Sequence, residues 1–110
     1  MNKRQILIYK TTSGKEPFSI WFKKIRDNTI KARIYQRINE ASLGYYGQYK
    51  RLGKDLIELK LHFGKGYRIY FAEIENTILL ILIGGTKNTP KEQSKDIQKA
   101  RECLKEFLAR

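Results

Sequence analysis

In 110 residues the chain has one cysteine, one histidine, one tryptophan and two prolines. The lone thiol, Cys103, excludes an internal disulfide framework and suits a reducing compartment. Without a second cysteine it makes neither a CxxC pair nor a cysteine zinc site. Long apolar runs are also missing. The longest, Thr77 to Ile83, is strand-sized, far from the roughly 18 residues that span a bilayer, and Ile6 to Tyr9, behind Lys3 and Arg4, is too short for a signal-peptide core. No P-loop, GxGxxG, HExxH or GxSxG motif is present. Acidic residues are scarce: 11 Asp and Glu face 23 Lys and Arg, a net charge of +12. What remains is one small cytoplasmic domain over residues 1–110, with no cofactor or metal expected. Its 41% hydrophobic residues are enough to bury a core. Its charge calls for a polyanionic partner: nucleic acid, an anionic membrane surface or an acidic protein.

Gln5 to Lys10 suits a strand. Ser13-Gly14-Lys15-Glu16 has the spacing of a helix capping box, and Pro17 suits a first helical turn. Phe18, Trp21, Phe22 and Ile25 then recur on one helical face. Asp27-Asn28 breaks that helix, and a second begins near Thr29 with Ile30, Ile34, Ile38 and Ala41 on its stripe. Gly44 is its expected terminator. A short basic strand, Gln48 to Leu52, follows between turn-like segments. Ile57, Leu59, Leu61 and Phe63 alternate with polar residues, as do Tyr67, Ile69 and Phe71 beyond the turn at Gly64-Lys65-Gly66, which predicts a half-buried hairpin. After a turn at Glu75-Asn76, Thr77 to Ile83 is apolar on both faces, as a central strand is, and Gly84-Gly85 is expected to end it. Residues 86–95 read as a polar loop. Ile97, Ala100, Leu104 and Leu108 predict a C-terminal helix. The order gives an α+β fold: a small antiparallel sheet of three to four strands plus the N-terminal strand, two helices packed on one face, and a C-terminal helix.

Register brings chemistry with it. If both apolar sets of the hairpin face one core, residue 63 pairs with 67, 62 with 68 and 60 with 70. Lys60, His62, Arg68 and Tyr70 then project together from the face opposite the two helices, with His62 beside Arg68. Such a group can take a proton from an RNA 2′-hydroxyl, stabilise the charge gathered on the phosphate, and protonate the departing 5′-oxygen. The arginine fork meets two phosphate oxygens at once, and histidine titrates near neutrality. The same residues also suit a solvated strand face with no chemistry. On that surface placement, Arg68→Ala is expected to change stability by under about 0.5 kcal/mol.

The segment ELKLHFGKGYRIYF (Glu58 to Phe71), followed by TILLILIGGTKNT (Thr77 to Thr89) and a helix opening at Asp96-Ile97 with Ala100, resembles the RelE/ParE superfamily of bacterial toxins, nearest the HigB-like addiction-module killer proteins. The likeness extends to Pro17, Phe18, Trp21, Phe22 and Ile25, to Ala32–Ile38 and to Leu43–Gly47, and so covers nearly the whole chain. It implies a type II toxin. Most characterised relatives enter the ribosomal A site and cut mRNA; others poison DNA gyrase by binding. Carried over by position, Arg68 matches the arginine on the scissile phosphate and Lys60 a strand lysine used as base or for charge stabilisation. Lys87 falls where a further basic residue sits, and His62 is the candidate acid or base. Glu58 stands where RelE itself has a second lysine, and Glu92–Lys95 has no match for its C-terminal catalytic tyrosine. The implied partners are a cognate antitoxin of the helix-turn-helix, HigA-like kind, the ribosome and mRNA.

The expected ribosome- and RNA-binding residues are Arg33, Arg37, Lys50, Arg51, Lys54 and Lys65. From Lys23 to Arg37 six basic residues meet one acid, a patch fitted to phosphate contacts. The readings are a ribosome-dependent mRNA endonuclease, a gyrase inhibitor and a non-enzymatic nucleic-acid-binding module. Four residues with acid–base or phosphate-binding chemistry favour the first.

Overall fold

A computed structural model describes residues 3–87 and 89–110. Its elements run β1 (Gln5–Ile8), α1 (Pro17–Lys23), α2 (Asn28–Ser42), β2 (Tyr49–Arg51), β3 (Leu56–Leu61), β4 (Tyr67–Ile74), β5 (Ile78–Thr86) and α3 (Pro90–Leu108). The strands form one mixed sheet ordered β1-β5-β4-β3-β2, in which only the β1–β5 pair is parallel. Among the described residues, no helix is long and apolar enough to cross a membrane.

The two periodicities of the sequence sort the side chains into two cores. Odd-numbered residues of the hairpin (Ile57, Leu59, Leu61, Ile69, Phe71) meet Phe18 and Phe22 of α1 and Ile34, Ile38 and Ala41 of α2. On the other face Leu56, Tyr70 and Ala72 meet Ala100 and Cys103 of α3. Helices on both faces explain why β5 is apolar throughout. A bulge adds to this. Tyr70 pairs with Ile83 but Phe71 with Ile81, so Leu82 is the extra residue, and Leu82 and Ile83 both lie in the α3 core.

Several local expectations change. The Ser13–Glu16 capping box does not form: Glu16 is itself the N-cap of α1, with Pro17 in the first turn, and its carboxylate accepts from the Ser19 hydroxyl at 2.6 Å. Asp27 caps α2 by accepting from Thr29 N–H at 2.8 Å. Gly44, at φ 93°, ends that helix as expected. Residues 90–95 are helical rather than loop, because Thr89 caps Glu92 N–H and Pro90 opens the helix; Asn88, in the same expected loop, lies outside the described residues. On α3, Cys103 takes a buried place while Leu108 is exposed.

β5 also runs on through Gly84 and Gly85. Neither glycine is there to turn the chain. A Cβ on Gly84 would stand 2.2 Å from Trp21 Cε3, and one on Gly85 would stand 2.7 Å from Asp96 Oδ2. The glycines let α1 press on one face of the strand and α3 on the other.

The C-terminal end of α3 is tied down by Glu106, which accepts from the Tyr9 hydroxyl at 2.6 Å and from Arg110 at 2.7 Å. Arg110 and Tyr9 hold the Glu106 carboxyl down at about 2, while burial and the bond to Glu106 push the Tyr9 hydroxyl up to about 12.

Two outcomes follow from this packing. Gly84→Ala, which drives a methyl into the Trp21 ring, should lower stability in urea by about 1–3 kcal/mol. Glu106 is depressed in the folded state, so its stabilising share is full above its unfolded value of 4.5 and lost as pH falls toward about 2. Across that window Glu106→Gln should show a flatter fall of Tm than the parent chain.

Candidate functional site

The sheet end at the β3–β4 hairpin is where α3 ceases to cover the even-numbered face. The hairpin connection is five residues, 62–66. Gly64 and Gly66 take φ 57° and 82°, and Gly66 N–H bonds Phe63 C=O at 2.9 Å. This wider loop moves the register by two residues from the expected one. Lys60 faces Arg68, Leu61 faces Tyr67 and Glu58 faces Tyr70, so the expected pairs 63–67, 62–68 and 60–70 do not form. The inward and outward faces are unchanged, because the shift preserves parity.

The four proposed site residues nevertheless come together. Lys60, His62, Arg68 and Lys87 line a single cleft of about 160 Å³ with Gln48, Leu61 and Tyr67. Lys60 and Arg68 arrive as a cross-strand pair. His62 extends from the end of β3 and is exposed. Lys87 is fixed at the rim by its N–H, which bonds Gly66 C=O at 2.8 Å, and its aliphatic stem lies across Gly66, where a Cβ would meet Lys87 Cδ at 3.1 Å. A three-fold concentration of cations with one imidazole suits an anion that needs proton transfer. Among the described residues, no group of three His, Cys, Asp or Glu side chains is arranged to hold a metal.

Tyr70 departs from expectation. It is fully buried beneath α3 and does not join the cleft. Burial, then its hydrogen bond to Glu58, raises its hydroxyl far above the ordinary tyrosine range. Glu58, alternating with the solvent-facing set in the sequence, is likewise 0% exposed. Its Oε2 accepts from Tyr70 Oη and from Gln93 Nε2, each at 2.9 Å, and lies 3.6 Å from Arg68 Nε. Among the described residues, its Oε1 has no hydrogen-bond partner. Asp96, further along α3, has its carboxyl raised by burial, against the lowering pull of Lys99 and Arg68. The sequence marks Glu58 and the Gln93 segment only as departures from the RelE pattern, and it gives Glu58, Gln93 and Gln48 no place in the site. A glutamate among alternating polar residues carries no mark of burial, and Gln93 sits in a segment read as loop.

The expected RNA-binding residues divide. Lys50, Lys54 and Lys65 are exposed, and Arg33 is an exposed residue whose guanidinium lies 4.1 Å over the Phe63 ring. Arg37 is instead bound into the fold: it donates to Tyr46 C=O at 2.6 Å and fills the space a Cβ on Gly47 would need. Arg51 pairs with Glu73 at 2.9 Å. Glu73 is held below the ordinary carboxylate range: burial opposes this, and Arg51, Tyr46 and Arg4 outweigh it.

No family model matches the chain. It is similar to a Haemophilus influenzae protein described only as an uncharacterized protein, 33% identical over 90 residues that make up 82% of this chain and 88% of that one.

The Glu58 contact overturns one expectation for Arg68, whose side chain is 16% exposed. Arg68→Ala strips a wholly buried carboxylate of its only cationic neighbour within 4 Å among the described residues. The variant should therefore lose about 1–3 kcal/mol, read as a lower urea midpoint at unchanged slope.

Proposed function

We propose, from the premise that the chain belongs to the same family as the Haemophilus influenzae protein, that it is the toxin of a type II toxin–antitoxin pair and cuts mRNA on the ribosome. The observation that carries this reading is the cleft that gathers Lys60, His62, Arg68 and Lys87. The ribosomal setting and the antitoxin rest on the resemblance to the RelE/ParE superfamily described above. The exposed Lys50, Lys54, Lys65 and Arg33 provide cations for rRNA phosphates beyond the cleft.

In this mechanism the scissile phosphate sits between Arg68 and Lys60. A base in the cleft, His62 or Lys60, takes the proton from the 2′-hydroxyl. The 2′-oxygen attacks phosphorus and the bond to the 5′-oxygen breaks. Charge on the non-bridging oxygens is met by the Arg68 fork and by Lys87, and a protonated group returns a proton to the 5′-oxygen. The products are a 2′,3′-cyclic phosphate and a free 5′-hydroxyl.

Arg68→Lys keeps the charge and loses the fork, so it tests the chemistry with a smaller disturbance than alanine. Under inducible expression in bacteria, primer extension on several transcripts should show discrete breaks with the parent chain. Arg68→Lys and Lys87→Ala should each reduce them by about 10²-fold. Intact transcripts together with gyrase-linked DNA breaks would replace this reading with a gyrase inhibitor. Harmless expression would leave a binding module.

A further inference from the structure

An apolar residue at position 58 would fill the space beneath α3 without a buried charge. The chain instead buries a carboxylate with one oxygen lacking any donor among the described residues, an arrangement that costs desolvation free energy. The geometry around it is directional. Tyr70 Oη and Gln93 Nε2 both donate to Oε2 at 2.9 Å, which pins the carboxylate between the sheet and the first turns of α3. Arg68 approaches that same oxygen with Nε as its nearest nitrogen, at 3.6 Å. At that distance the contact is an ion pair short of a hydrogen bond.

An arginine has a side edge, made by Nε and one terminal nitrogen, and an end edge made by the two terminal nitrogens. We propose that Glu58, pinned by Tyr70 and Gln93, is a positioning residue that engages the side edge of Arg68 and so leaves its end edge for the phosphate. The unpartnered Oε1 completes this arrangement: a small closing of the guanidinium on Glu58 supplies its missing donor and turns a single contact into a paired one. The inference deepens the nuclease reading and rests on it for the identity of the anion. The hold of Glu58 on Arg68 stands independently of that identity.

The sign of the charge at position 58 matters as well. A cation there would enlarge the charge of the cleft; the carboxylate reduces it and fixes the direction of what remains. Positioning matters here because misplacement by about 1 Å costs on the order of 10²-fold in rate.

The test uses the full chain and two readouts. In nitrogen-detected NMR of the arginine side chains, the Arg68 Nε–H should exchange slowly with solvent beside the freely exposed Arg26. In Glu58→Gln, which preserves shape and burial, it should exchange about tenfold faster or more, with Tyr70→Phe intermediate. The second readout is an oligoribonucleotide carrying a 2′-deoxy sugar at the cleavage site, which binds but is not cut. Its Kd should stay within about threefold in Glu58→Gln, because loss of the carboxylate adds net positive charge, while cleavage of the matching all-ribose transcript on ribosomes falls about tenfold or more. A merely structural Glu58 moves Tm and leaves the Arg68 signal as it was, and that outcome overturns the proposal. If Glu58→Gln fails to fold, Gln93→Leu and Tyr70→Phe carry the test, and unchanged Arg68 exchange in both overturns it. A changed Arg68 signal in a chain that cuts no RNA sinks the nuclease reading and leaves the positioning role intact.

Discussion

Burial of both faces of β5 is the constraint on which the rest of the molecule depends. Like β3 and β4, that strand lends residues to both the α1–α2 core and the α3 core, and it is the strand on which α1 and α3 both close. Leu79 and Ile81 serve the first, and Leu80, Leu82 and Ile83 the second. An ordinary strand alternates strictly, and the bulge at Leu82 lets two successive side chains serve the same core. Beyond it, Gly84 and Gly85 surrender their side chains so that Trp21 and Asp96 close on the strand from opposite sides. The position of α3 over the sheet follows from that close approach. With it follow the burial of Tyr70 and Glu58 and the opening left at the hairpin end.

Most of this architecture was legible in the residues. Phe18 and Phe22, the Ile34–Ile38–Ala41 stripe and the alternation from Ile57 to Phe71 each fix an element and a face, because a wrong face would put a whole apolar set in water. The failures are local and share a cause. The hairpin register, the missing capping box at Ser13 and the early start of α3 at Pro90 all turn on one or two hydrogen bonds. Such bonds decide between nearly equal alternatives that composition does not separate. Reading Gly84-Gly85 as a terminator was a different kind of error: a glycine needed for close approach looks the same in sequence as one needed for a turn.

The candidate site was half legible. Parity alone places Lys60 and Arg68 on one face, so their grouping survived a register that was off by two residues. The arrangement of Glu58, Tyr70 and Gln93 behind them was not legible, since it requires knowing that α3 crosses that face. Charge was the least discriminating guide. Arg37 and Arg51 counted toward the same basic total as Lys50 and Lys65, yet the first two are occupied with Tyr46 and Glu73. Of the expected RNA-binding residues, Lys50, Lys54, Lys65 and Arg33 remain, with the cleft residues, for an outside anion.

The parallel pairing of β1 with β5 sets Gln5 against Ile78 and Ile8 against Ile81. β1 thus has no sheet partner, among the described residues, until β5, far along the sequence, exists. Pairing across so long a stretch of sequence defers its reward until the loop-closure entropy has been met. While the chain is growing, α1 and α2 can form but have no finished surface to lie on. The sheet closes only after β5 has been made. Folding in this molecule waits on β5: the cleft at the hairpin, whose rim includes Lys87, is absent from any fragment that stops before that strand.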